Sequence, residues 1–502
     1  MRIDWRTAPL DAWQAEAVIL FAFENSDRPL PGLKRWMDGP GSWLDQLAAL
    51  PDFQGKYQQL AVYYGPLDQG IQRAIYVGLG PLEHFEMGKL RSAAAVAARK
   101  CRDLHLRQPA LPLLAFEGIP AEPARALEEA LLGIMLGLYR YQALKTRDLE
   151  PSSFPEVLAV LAEHDPDELL QTSLTTASAV GSGISLTRDL VVAPANQVTP
   201  SFLADTAREL AELYGFRLKI LDFDTAREMG MGAFSAVAQG SREPASFVMI
   251  EHAPPGAELD PPLIFIGKGI TFDTGGISIK PSAKMEFMKH DMAGAAAVLG
   301  TFKAIGELRV EKHVVGILPC TENMPDGKAF KPGDVLRSLS GLTIEVISTD
   351  AEGRLVLADA ITYALEFKPA IMVDIATLTG ACIVALGDEV AAVMGNREEL
   401  TRKVQEIGSE VGDRLWPLPL WDFYFENLKS EVADFRNVGD RKGGAIVAAM
   451  FLKQFVPDEV PWVHLDIAGP AWTEKDLATA SKGPTGFGVR TLIEIARRWP
   501  EL

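Results

Sequence analysis

Residues 263–276 read Leu263-Ile264-Phe265-Ile266-Gly267-Lys268-Gly269-Ile270-Thr271-Phe272-Asp273-Thr274-Gly275-Gly276. The run Leu263–Gly267 is short, aliphatic and closed by glycine, which predicts a buried strand followed by a turn rather than a helix. Comparable runs stand at 313–318, 343–348, 371–378 and 463–467, each followed by a turn. Beyond Pro194 this repetition of strand, turn and helix predicts an α/β fold: a mixed, mostly parallel sheet with helices on both faces. In such sheets ligands gather at the carboxyl ends of the strands. The polar residues that follow these runs are therefore where chemistry belongs.

Two of those places are unusual. After Gly267 come Lys268 and Asp273, then Lys280 and Asp291 within one short stretch. Each residue alone reads as a solvated charge on a surface turn, but a lysine between two glycines at a strand end, with an aspartate five residues on, is odd for packing. After 343–348 come Thr349-Asp350-Ala351-Glu352-Gly353-Arg354 and then a helical apolar pattern. Asp350 and Glu352, two apart on a turn, can present both carboxylates to one side. The plainer reading makes Asp350 a helix N-cap and Glu352 a complement to the helix dipole. Together the clusters offer three Asp, one Glu and one Lys nitrogen, a hard-oxygen set that suits Mn²⁺ or Mg²⁺ and is acceptable to Zn²⁺. That is more than one ion with open positions needs, which points to a pair of ions and to hydrolysis. The lysine would have to be neutral, which adjacent dications favour.

The 502 residues suggest two or three domains, and the composition is that of a folded globular protein. Lys plus Arg number 49 against 67 Asp plus Glu, a net charge of −18 that repels phosphate backbones, so nucleic acid is a poor partner. Three scattered cysteines, Cys101, Cys320 and Cys382, offer neither a disulfide framework nor a thiolate metal cage and fit a reducing cytoplasm. The apolar run at 17–23 lacks a basic leader and a cleavage site, so it reads as a first strand rather than a signal peptide. The run at 130–139 is too short for a membrane span and reads as a buried helix. Strands at 17–23, 59–64, 74–78 and 157–161 alternate with helical patterns at 89–100 and 122–144, which makes the first third a smaller α/β domain. A polar, proline-bearing passage at 146–155 and a helical stretch at 167–192 place the boundary near residue 165, with an N-terminal domain at 1–165 and a catalytic domain at 166–502.

Asn323-Met324-Pro325, Pro332-Gly333-Asp334 and above all Ser348-Thr349-Asp350-Ala351-Glu352-Gly353-Arg354-Leu355 resemble the leucyl aminopeptidase, or cytosol aminopeptidase, family. Arg188-Asp189-Leu190 with Pro194 and Asn196, Gly230-Met231-Gly232 with Gln239-Gly240, 374–380 and His464-Leu465-Asp466-Ile467-Ala468-Gly469-Pro470 extend the resemblance over residues 185–495. It implies metal ligands at Lys268, Asp273, Asp291, Asp350 and Glu352, with the Asp350 carbonyl also reaching a metal. It implies catalytic cations at Lys280, which would polarise the scissile carbonyl and also touch substrate, and at Arg354, which would hold a bicarbonate acting as general base. Thr377, Leu378 and Gly380 would hold the peptide and Met288 would line the pocket for its first side chain, although a methionine there is more often plain core. Metal coordination of the substrate's free α-amine would restrict cleavage to the N-terminal bond of short peptides, with Leu or another apolar residue preferred weakly. The family also implies a homohexamer built as a dimer of trimers.

One position departs from the signature, Ser348 standing where Asn is usual, and slight retuning is expected. His290 beside Asp291 reads as a neighbour that points away. A nucleotide-binding enzyme is the first rival, but the glycines of 267–276 form neither GxGxxG nor GxxxxGK[ST]. A non-catalytic or second, regulatory binding role on the same fold is the other.

Overall fold

The computed structural model describes residues 1–24, 30–37, 52–65, 70–147 and 155–500. Most of the polar passage at 146–155 lies outside them. The chain divides into two compact units, Met1–Gly181 with Lys475–Lys482, and Ser182–Glu474 with Gly483–Leu502, the division running through the helix Glu168–Val192.

The first unit holds a six-stranded sheet of β1 (Arg2–Thr7), β2 (Val18–Ala22), β3 (Leu60–Tyr64), β4 (Arg73–Gly78), β5 (Ala110–Pro112) and β6 (Val157–Ala162), in the order β1-β6-β5-β2-β4-β3. Every pairing is parallel except β3 with β4. The run at 17–23 is therefore the second strand, since Arg2–Thr7 precedes it and pairs with β6. The helix expected over 122–144 ends at Leu138. It packs on Met87–Asp103 through small residues: a Cβ on Gly133 would lie 2.1 Å from the Arg91 carbonyl oxygen. Glu129, fully buried on this helix, is held by Arg91 at 2.7 Å and Arg125 at 3.0 Å, as a buried charge must be.

The second unit is built on nine strands: β7 (Arg217–Asp222), β8 (Ser246–His252), β9 (Leu263–Gly267), β10 (Gly269–Asp273), β11 (Val314–Asn323), β14 (Ile371–Ala376), β15 (Ala391–Gly395), β16 (Leu415–Pro417) and β18 (Trp462–Asp466). Their order is β16-β15-β18-β14-β9-β11-β8-β7, with β10 pairing β11. The centre β18-β14-β9-β11 is parallel, while β8 joins β11, β7 joins β8 and β15 joins β18 antiparallel. The central strands read as unbroken apolar runs because helices cover both faces, Ala293–Leu308 and Gly353–Ala364 each packing on β9, β11 and β14. The run at 343–348 corrects one expectation. Only Thr343–Glu345 (β13) is extended, and it joins Val335–Arg337 (β12) and Phe435–Arg436 (β17) in a separate three-stranded sheet. Among the described residues no helix is long and apolar enough to cross a membrane.

Candidate metal centre

Residues 263–276 hold two strands, β9 and β10. At Lys268 the chain leaves β9 and re-enters the sheet as β10, whose Gly269 and Ile270 stand opposite Cys320 and Thr321 of β11. The Lys268 N–H donates to the Ile375 carbonyl of β14 at 3.1 Å, and the Lys268 carbonyl accepts from Ala295 N at 2.9 Å. The backbone is thus pinned from both sides. The Lys268 side chain is buried, and at Gly353 any Cβ would lie 2.6–2.7 Å from the lysine Cε and Nζ, so only glycine leaves room for it.

Around this corner the structure brings together all five expected metal-ligating residues and Lys280. Lys268 Nζ lies 2.8 Å from Asp291 Oδ2 and 2.9 Å from Glu352 Oε1, and donates to the Thr377 carbonyl at 3.1 Å. Lys280 Nζ lies 2.7 Å from Asp273 Oδ2 and is paired with Asp350 Oδ1. Carboxylate oxygens of Asp273, Asp350 and Glu352 all fall within 4.8 Å of one another. Asp350 does not cap the following helix: Glu352 occupies the N-cap, without a side-chain capping bond. Four carboxylates against two ammoniums leave an excess of negative charge in a largely buried cleft.

The carboxylates are also aimed. Asp273 Oδ1 accepts from Gly275 N at 2.8 Å and from Asn323 Nδ2 at 2.8 Å, leaving Oδ2 to face the cleft. Asp291 Oδ1 accepts from Thr377 Oγ1 at 2.7 Å, and its Oδ2 is likewise the oxygen that meets a cation. The 349–352 turn is tied down by Thr349, whose hydroxyl donates to the Gly275 carbonyl at 2.6 Å and accepts from Ser278 N at 2.8 Å. Converging oxygens, excess negative charge and the single oxygens presented by Asp273 and Asp291 suit hard divalent cations, so the donor set fits them.

Burial by itself lowers the Lys268 and Lys280 ammoniums, but the carboxylates around them outweigh it and hold both above the ordinary lysine range. Burial, with carboxylate neighbours adding to it, raises Asp291, Glu352 and Asp350 against the pull of the lysines. Among protein charges alone Lys268 is therefore an ammonium, and dications in the cleft would restore the neutral amine that a nitrogen ligand requires.

Arg354 is buried, donates through Nη1 to the Asn437 carbonyl at 2.7 Å, and leaves Nε without a partner. Burial pushes its guanidinium down to about 10. Asn437 braces the turn that carries the signature, its Oδ1 accepting from Ile347 N at 2.8 Å and its Nδ2 donating to the Ser348 carbonyl at 2.7 Å. Leu378 N and Thr379 Oγ1 donate to Asp466 at 3.1 and 2.7 Å, which fixes the segment from Thr377 to the helix Gly380–Leu386. Met288 is half-buried in the 3₁₀ turn Met285–His290, where the His290 ring stacks on Trp472 at 5.7 Å. Asn323, Thr349, Asn437 and Asp466 carry the site's bracing although the residue reading gave none of them a role. Asn323 and Asp466 each close a buried strand at its carboxyl end, and that position is the signal that marks them.

The catalytic-domain description of the cytosol aminopeptidase family matches residues 185–493, and its N-terminal-domain description matches residues 19–148. A probable cytosol aminopeptidase of Syntrophobacter fumaroxidans is 56% identical over 502 residues, 100% of this chain and 99% of the relative. One of Nitratidesulfovibrio vulgaris is 49% identical, covering 96% of each chain. Among solved structures, a mutant of tomato leucine aminopeptidase superposes with a TM-score of 0.88 at 36% identity, over 99% of this chain and 96% of that one. The bottromycin maturation enzyme BotP in complex with Mn superposes with a TM-score of 0.84 at 35% identity, over 96% and 99%. Matched over both units and along its whole length, the chain belongs to the cytosol aminopeptidase family, metal-dependent hydrolases that release amino acids from the N-terminus of peptides.

Proposed function

We propose that the second unit removes the N-terminal residue of short peptides, preferring Leu or another apolar residue, at a centre that holds two divalent cations, Mn²⁺ or Zn²⁺. Lys268, Asp273, Asp291, Asp350 and Glu352 would hold them. Bound there, such ions supply Lewis acidity for the scissile carbonyl and lower the pKa of water towards neutrality. The observation that carries this reading is the aimed cluster itself, in which Asp273 and Asp291 each present one oxygen to a negatively charged cleft shared with Asp350 and Glu352.

The chain's own residues do the rest. Lys280, partly exposed beside Asp273 and Asp350, would donate to the carbonyl oxygen as negative charge develops on it. Arg354, with Nε unpartnered, would hold a bicarbonate, which would supply a general base for the attacking water. Leu378, whose N–H already donates to Asp466, meets the peptide through its carbonyl, while Thr377 and Gly380 complete that edge and Met288 faces the first side chain. The family resemblance favours a homohexamer of two trimers, and exposed apolar residues such as Trp421 and Phe423, whose rings lie 5.8 Å apart, are of the kind that self-association covers. Three buried free cysteines suit a reducing cytoplasm.

The test is hydrolysis of a leucine anilide by chelator-stripped protein resupplied with Mn²⁺ or Zn²⁺. The expected result is activity that returns with metal. Silence with both metals on several aminoacyl anilides and dipeptides would overturn the proposal and favour a non-catalytic role.

A further inference from the structure

Asn323, the last residue of β11, is fully buried, and its amide is used asymmetrically. Nδ2 donates to Asp273 Oδ1 at 2.8 Å and to the Thr349 carbonyl at 3.0 Å, and lies 3.5 Å from Glu352 Oε2. Oδ1 is buried without a hydrogen-bond partner, in the space where a Cβ on Gly276 would come within 2.7 Å of it. The opposite amide orientation would set a carbonyl oxygen against three acceptors and is excluded by electrostatics. The Asn323 backbone serves the same corner, its carbonyl accepting from Thr274 N at 3.0 Å and Thr274 Oγ1 at 2.7 Å. One residue thus ties β10's end, the 274–276 loop and the 349–352 turn together.

We infer that Asn323 is a positioning residue for the metal centre: its amide holds Asp273 to coordination through Oδ2 alone and fixes the spacing between Asp273 and the turn that carries Asp350 and Glu352. Without it the Gly275 N–H would be the one donor left on Oδ1 among the described residues, and the carboxylate would be freer to turn that oxygen towards the cleft. The inference rests on the two-cation reading above, and it separates Asn323 from residues that merely fill space, because its effect falls on the bound ions. Outer partners of this kind are worth roughly 10–100-fold in metal affinity.

The test uses full-length protein carrying Asn323→Ala or Asn323→Leu, the second keeping the side-chain volume. Mn²⁺ binding is titrated by calorimetry, the resonance of bound Mn²⁺ is recorded, and folding is followed by circular dichroism and melting without metal. The expected result is a folded variant that binds Mn²⁺ about 10–100-fold more weakly with a changed resonance. Mn²⁺ affinity within twofold of wild type in either folded variant overturns the inference. So does failure of both variants to fold, because Asn323 would then be a structural residue. Wild-type protein that takes up no Mn²⁺ refutes the underlying metal reading instead.

Discussion

Asp374 of β14 stands in register with His464 of β18, at the fully buried centre of the parallel sheet. Its Oδ1 lies 2.5 Å from His464 Nδ1 and its Oδ2 accepts from Trp462 Nε1 at 2.7 Å. Burial alone would lower the His464 imidazole, but the Asp374 carboxylate outweighs it and raises the ring above its ordinary value. Asp374→Ala strands two buried donors and leaves the histidine without its anion, and breaking a buried pair in this way costs about 3–5 kcal/mol. Asp374→Asn is the sharper probe. Its amide can still accept from Trp462 and donate to a neutral imidazole, so it removes the charge while keeping the contacts. A histidine raised in the folded state contributes stability that is complete below the unfolded value near 6.5 and is lost as pH rises through the folded value. The Asn variant should therefore fall short of wild type at pH 6, and the shortfall should fade as pH rises. The Ala variant should stay destabilised throughout. Urea unfolding followed by tryptophan fluorescence, at a series of pH values, measures both. An Asn shortfall that is independent of pH, or an Ala cost below about 1 kcal/mol against the 3–5 expected of a broken buried pair, would refute this reasoning.

Two further outcomes concern the centre. Glu352→Gln and Asp273→Asn should each abolish leucine anilide turnover in a protein that still folds, whereas Arg354→Ala should keep measurable turnover because water can partly replace what it holds; near wild-type rates in both carboxylate variants would sink the assignment. Asp466→Ala removes the acceptor of Leu378 N and Thr379 Oγ1, worth about 1–3 kcal/mol. It should raise KM for the anilide while Mn²⁺ affinity is unchanged, and an unaltered KM would show that this segment does not hold the peptide.

The central strands were legible because burial on both faces writes them as unbroken aliphatic runs, and Leu263–Gly267 and Ile371–Ala376 fall where those runs stand. The helices at 89–100, 122–144 and 167–192 were legible from periodicity, with the end of Pro123–Leu138 misplaced because apolar and aromatic residues continue past it, whereas Pro200–Tyr214 and Glu398–Val411 were not anticipated. The partly exposed antiparallel strand Arg217–Asp222 escaped, since its pattern mixes charged and apolar residues as an edge does. Ile270–Asp273 escaped because two glycines beside Lys268 read as a turn, whereas the chain kinks there and pairs with β11 instead. The run at 343–348 misled for the opposite reason: it is rich in β-branched residues, but only Thr343–Glu345 forms a strand, and the pattern does not say which sheet it joins. The carboxylates and lysines of the centre stood out by chemistry. The bracing residues did not, because Asn323 or Asp466 acquires meaning only when a fold brings donors and acceptors from distant segments to it.

Those distances have a consequence for the life of the chain. Lys268 reaches a carbonyl 109 residues away, Lys280 a carboxylate 70 away, and Asn323 an aspartate 50 away. Contacts of such long sequence separation carry a loop-closure cost that must be met before they stabilise the fold. A ribosome-bound or partly folded chain, stopped before Ile371–Ala376 is in place, therefore has neither the lysine's anchor nor the edge at Thr377. On the proposed assignment of the centre, a chain stopped short of that strand has no assembled site, so the ability to trim peptide ends depends on a segment about a hundred residues beyond the lysine it anchors.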